Sequence, residues 1–215
     1  MAKAAPGKAP PAGSLDPKLV TWGAGEIMYR AHNEAYAVDS FNASPLGNAR
    51  FSPIHDSAGE VIPTLYAATT PQSALMETVF HDVPYKPGFK RVSVSRLESK
   101  LISTLVFMPT FELIDLSKVG LRRLGVHPHD LVDTTKTYYP ETRKWAEQLY
   151  TQFPQAQGLL WTSRQDDRAK AVVLFGTRIG TTELRPADVS VPLTENGVIH
   201  DLVMALATDL KVLIE

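Results

Sequence analysis

Apolar and β-branched residues in this chain come mostly in short blocks closed by proline, serine, glycine or charge, which is how strands look, not long helices. GEIMYRAHN (25–33) reads as a strand ending in polar residues, and NARFSP (48–53) as a shorter strand stopped by Pro53. TLYAATT is a third. RVSVS, KLISTLVFMP, FELIDLS, GLLWTS and AVVLFG extend the series, the last two split by the charged RQDDRAK. Three segments carry helical spacing instead. In TTPQSALMETVFHDV, Thr70 supplies an N-cap and Pro71 a first helical position, predicting a helix to about Val83. In PETRKWAEQLYTQF, Trp145, Leu149 and Phe153 fall on one face. The C-terminal VIHDLVMALATDLKVLIE sets Ile199, Leu202, Val203, Leu206, Leu210 and Leu213 on one stripe, predicting a helix packed on the body or on a partner.

Strands and helices mix without a βαβ alternation or a fixed repeat, so the expectation is α+β, with short mixed or antiparallel sheets flanked by helices. GxGxxG after a strand and GxxxxGK[ST] are both absent, which points away from Rossmann cofactors and P-loops. The first 20 residues, rich in Ala, Pro and Gly, read as a disordered tail without the apolar core of a secretory signal, and residues 21–215 as one domain that includes the C-terminal helix.

Charge narrows the functional classes. Twenty-two Lys and Arg against 23 Asp and Glu give a formal net charge of −1, so no global field draws the protein to nucleic acid or an anionic membrane. Any anionic ligand must be met by local cations. Without Cys there are no disulfides, thiolate nucleophiles or Cys-based zinc sites, and a reducing, cytoplasmic location is expected. No apolar run is long enough to span a bilayer. HPHD (127–130) lacks further spaced ligands and reads as a surface turn, so no metal is expected.

Candidate chemistry rests on a few side chains. Arg30 and Arg50 stand at or near the ends of early strands, where two guanidinium forks converging on a cleft would suit phosphate oxygens; exposed surface positions are the ordinary alternative. Glu77 falls off the apolar face set by Leu75, Met76, Val79 and Phe80, near Ser73 and His81, so it faces either solvent or a cleft. Ser163 closes an apolar strand, outside any GxSxG elbow, and a turn-forming serine is the plain reading.

Taken in order, MYR, ARFSP, TLYAATTPQSALMETV and GLLWTS resemble the successive motifs of the RES-domain family, named for an Arg, a Glu and a Ser, over roughly residues 25–176. That resemblance implies an ADP-ribosyltransferase-like fold and a toxin of a bacterial toxin–antitoxin pair that consumes NAD. It makes Arg30, Glu77 and Ser163 the signature catalytic residues. Arg30, Arg50, Tyr66 and Ser163 would form the NAD pocket, Ser163 bonding to Glu77 or to a ribose hydroxyl. The implied partner is a cognate Xre-type helix-turn-helix antitoxin. Two features depart from the family pattern: Ser52 stands where RFNP is common, and IHDSAGEVIP lengthens the following link. Water, inorganic phosphate and a protein side chain all remain open as acceptor. An ADP-ribosyltransferase of a cellular enzyme and a non-enzymatic interaction protein are the alternatives to NAD breakdown.

Overall fold

The computed structural model describes residues 9–215. In chain order the elements are β1 (Lys18–Trp22), β2 (Ile27–Asn33), β3 (Ile54–His55), β4 (Val61–Ile62), β5 (Thr64–Ala68), α1 (Pro71–Met76), β6 (Lys90–Val92), β7 (Lys100–Phe107) and β8 (Phe111–Asp115). After them come α2 (Lys118–Leu124), α3 (Pro128–Leu131), α4 (Tyr139–Gln152), β9 (Gly158–Thr162), β10 (Lys170–Phe175), β11 (Leu184–Pro186), β12 (Val191–Pro192), α5 (Val198–Asp209) and β13 (Val212–Ile214).

Among the described residues nine strands form one sheet in the order β1-β8-β9-β10-β5-β2-β7-β11, with β12 also on β7. Its pairs are antiparallel except β8 with β9, which are joined by the crossover carrying α2, α3 and α4. The expected α+β arrangement, a mixed sheet flanked by helices, is therefore what the chain adopts. β9 and β10 explain their unbroken apolar sequences by being buried on both faces. Leu159, Trp161, Val173 and Phe175 join a core with Trp145 and Leu149 of α4. Leu160, Val172 and Leu174 face the opposite side, against Met28, Leu105 and Phe107. A third cluster unites Leu75, Val79 and Phe80 with Val203 of α5, so the C-terminal helix packs on the body.

Four expectations need correction. Leu15 is buried, its N–H donates to Gln152 Oε1 at 2.8 Å, and Lys18 begins an edge strand on β8. The tail is thus part of the fold from Leu15 onward, while residues 1–8 lie outside the described residues. NARFSP is a turn, not a strand, because its bonded donors go to the turn itself or to a side chain, not to a strand ladder. Ala49 N–H goes to Ser52 O, Phe51 N–H goes to the Tyr66 hydroxyl, and Pro53 has no N–H. The C-terminal helix ends at Asp209. Lys211 takes φ 53° and turns the chain into β13, parallel to β6, which removes Leu213 from the helical stripe. The helix after Thr70-Pro71 stops at Met76, well short of Val83.

Candidate active site

Between β5 and β2 the sheet nearly parts. These strands share a single register pair, Tyr29 with Ala68, whereas β2 pairs with β7 along its whole length and β5 does so with β10. A cavity of about 380 Å³ opens at this parting, walled by Tyr29 and Arg30 on one strand and Tyr66 on the other. Six of its lining residues are alanines, and their small side chains leave the space that larger ones would fill.

Glu77 reaches this cavity because α1 ends abruptly. Thr70 caps the helix by accepting from Ser73 N–H at 3.1 Å, as its sequence suggested. Six residues later the ladder collapses, with the N–H groups of Thr78, Val79 and Phe80 all directed at Leu75 O. The Thr78 hydroxyl donates to Ala74 O at 2.6 Å, a back-bond that favours termination, while Val79 and Phe80 enter the core. Glu77 is therefore the C-cap, half-buried at the cavity wall, rather than a mid-helix residue.

Ser163 meets it from the end of β9. Its hydroxyl donates to Glu77 Oε1 at 2.6 Å and accepts N–H bonds from Gln165 and Asp166, each at 3.1 Å. Those two acceptances are the local turn chemistry of a serine at a strand end. The residue is only 1% exposed and does not line the cavity. Of the two alternative contacts, the one to Glu77 is formed, and the hydroxyl's donor and both its acceptor positions are occupied within the chain.

Arg50 lies in the irregular turn that replaced the expected strand. It is 5% exposed, its guanidinium carbon sits 5.6 Å from the centre of the Tyr139 ring, and its Nε is buried without a hydrogen-bond partner. Among the described residues no carboxylate forms an ion pair with it. Its carbonyl accepts from the buried Thr142 hydroxyl, which pins the turn to α4. The Tyr66 ring lines the cavity, and its hydroxyl accepts from Phe51 N–H at 3.0 Å. Burial pushes the phenol well above its ordinary range, opposed by the Phe51 amide and by Arg50, so it keeps a proton to donate. Trp161 Nε1, at the same cavity, is also a buried donor without a partner. Departures from the RES pattern leave this wall intact: Ser52 Oγ bonds to Thr64 Oγ1 at 2.8 Å, and the longer link forms the β3–β4 hairpin away from the cavity.

Arg30 lines the cavity, but its Nη1 is engaged elsewhere, donating to Val38 O at 2.5 Å and Ser40 O at 2.8 Å. Desolvation lowers it to about 10, opposed by Asp39, so it stays charged at neutral pH. Its visible work is bracing the loop that follows β2. His81, Asp82, Lys136 and Tyr139 also line the cavity wall, without having stood out in the sequence as site residues. Lys136 Nζ lies 2.8 Å from Asp82 Oδ1, and His81 Nδ1 lies 2.9 Å from the same oxygen. These partners, Lys136 first, hold the Asp82 carboxyl far below its usual range. HDV was visible in the sequence beside Glu77, but no local signal pairs it with a lysine 54 positions on.

Among the described residues no cluster of His, Asp or Glu is placed to hold a metal ion, and no helix is long and apolar enough to cross a membrane. Fold and site together define an α+β protein with a carboxylate and a buried guanidinium, without an ion-pair partner among the described residues, at a cavity where its sheet parts. A profile of the RES domain matches residues 27–194, and the chain belongs to the RES-domain family. Curated proteins searched by sequence yield no match. Among solved structures, a chain of the M. tuberculosis MbcT–MbcA toxin–antitoxin complex shares the fold. Its TM-score is 0.61 at 17% identity, covering 89% of this chain and 91% of that one.

Proposed function

We propose that this protein is the toxin of a toxin–antitoxin pair and that it breaks the nicotinamide–ribose bond of NAD. Family membership and the fold shared with a chain of a toxin–antitoxin complex support the first part. The observation that carries the second is the oriented Glu77 carboxylate, held at 2.6 Å by Ser163 in a cavity that also buries Arg50 with Nε unsatisfied. A buried cation without a carboxylate partner has lost hydration that an anionic ligand replaces.

Cleavage of this glycosidic bond passes through an oxocarbenium-like centre, and a fixed carboxylate beside it stabilises the developing positive charge. Glu77 takes that role, with Ser163 as its positioning residue. Arg50 and the Tyr66 hydroxyl hold oxygen atoms of the dinucleotide, and the alanine-lined floor admits the flat nicotinamide. Arg30 completes the set by fixing the cavity's outer loop. In the cytoplasm such an activity requires restraint, and a Xre-type helix-turn-helix antitoxin covering the cavity supplies it.

Purified protein is incubated with NAD, with and without inorganic phosphate, and nicotinamide release is followed. Release from wild type that falls at least about a hundredfold in Glu77→Ala is expected, the scale of losing one preorganised electrostatic group. No release from wild type, or equal release from the variant, defeats the reading. Radiolabelled NAD in a lysate separates breakdown from protein ADP-ribosylation, because only a transferase leaves label on a protein band.

A further inference from the structure

We infer that Lys136 is the residue by which this cavity distinguishes a phosphate-bearing ligand from an uncharged nucleoside, and that Asp82 is the place-holder for that phosphate. The inference rests on the dinucleotide reading of the cavity. Of the three lysine and arginine side chains among the described residues that line it, Arg30 has its Nη1 committed to the carbonyls of Val38 and Ser40, and Arg50 is 5% exposed. Lys136 differs from both. Its side chain is 52% exposed, and it stands on the single turn that leads into α4.

Among the described residues, the acidic contact of Lys136 Nζ is Asp82 Oδ1, at 2.8 Å, in the segment that follows α1. Asp82 does not depend on the lysine to stay ionised. His81 lies at 2.9 Å and Arg96 at 3.4 Å, so the carboxylate keeps partners when Lys136 leaves. An ammonium on a flexible stem can exchange one oxyanion for another with little rearrangement, which a buried or backbone-tethered guanidinium cannot do. Lys136 thus waits on Asp82 and turns to the phosphate when it enters, whereas Glu77 and Ser163 are unaffected by the exchange.

Binding of ADP and of adenosine is measured by calorimetry on wild type, Lys136→Met, Lys136→Arg and Asp82→Asn, alongside steady-state NAD turnover. Lys136→Met is expected to weaken ADP about tenfold, one charge-assisted contact, and to raise KM for NAD similarly while adenosine binds as before. Lys136→Arg restores most of the loss, and Asp82→Asn tightens ADP a few-fold by freeing the lysine. An unchanged ADP affinity in Lys136→Met, or equal weakening of ADP and adenosine, overturns the inference, as does a wild type that binds neither. Should wild type release no nicotinamide yet bind ADP in a Lys136-dependent way, NAD cleavage fails and the phosphate-reading role of Lys136 stands.

Discussion

Replacing Ser163 with alanine separates positioning from binding at this site. The hydroxyl makes one short bond to a carboxylate and accepts two backbone N–H groups. A hydrogen bond to a charged group contributes about 1.5–3 kcal/mol, so freeing Glu77 lowers kcat by about 10- to 150-fold if that bond is what holds the carboxylate in its reactive orientation. KM should hardly move, because Ser163 does not touch the cavity. Gln165 and Asp166 are partly exposed, and water can replace the lost acceptor at their N–H groups, which keeps the stability cost near 1–2 kcal/mol. Initial rates of nicotinamide release across NAD concentrations give kcat and KM, and circular dichroism with a thermal melt confirms folding. Glu77→Gln serves as the companion, retaining shape and the bond to Ser163 while removing the charge. A folded Ser163→Ala enzyme with unchanged kcat refutes positioning. A raised KM at constant kcat refutes it differently, showing that the serine meets substrate.

Arg30→Met removes the brace on the loop after β2, and a loss of about 2 kcal/mol with faster proteolysis at residues 37–40 is expected, read by urea titration and limited digestion. His32 is buried, bonded through Nε2 to Ser103 at 2.7 Å and through Nδ1 to Asn33 O at 3.0 Å, and desolvation lowers its pKa. The unfolded chain therefore binds more protons just below its ordinary value of about 6.5, and stability falls as pH drops through that region. Melts from pH 7.5 to 5.5 should show the decline, flattened in His32→Gln; parallel curves would refute it. A Cβ at Gly158 would collide with Val173 O on β10, so Gly158→Ala should cost at least about 2 kcal/mol or prevent soluble expression, whereas alanine at exposed Gly13, with nothing near its Cβ, should be silent.

What the sequence disclosed follows from how each element is buried. β9, β10 and α4 were legible because each closes against the core on its own terms, two strands on both faces and a helix on one. β1 was not, because KLVTW is a partly polar edge strand whose partner β8 lies some ninety residues on, behind a Pro- and Gly-rich lead. Leu213 misled because it stands three positions after Leu210, a helical spacing that Lys211 breaks at a positive φ. The wheel was right that Glu77 leaves the apolar face but wrong about why. The helix stops there, and the carboxylate turns into the cavity at its C-cap.

The same contrast runs through the site. Glu77, Ser163 and Arg50 come from a helix end, a strand end and an irregular turn, each fixed by a different non-local anchor. Leu75 O gathers the N–H groups after α1, the Gln165 and Asp166 amides hold the serine, and the buried Thr142 hydroxyl of α4 pins Arg50. Motif order can mark such residues because a chain must pass the cavity in a fixed sequence, but it carries no record of the anchors. That is why the signature residues were named from the chain, while Lys136 and Asp82, joined only across folded space, were not. A site assembled from element ends at the parting of a sheet owes its rigidity to those anchors, and losing one should displace a single functional group while the two faces of the core stay packed.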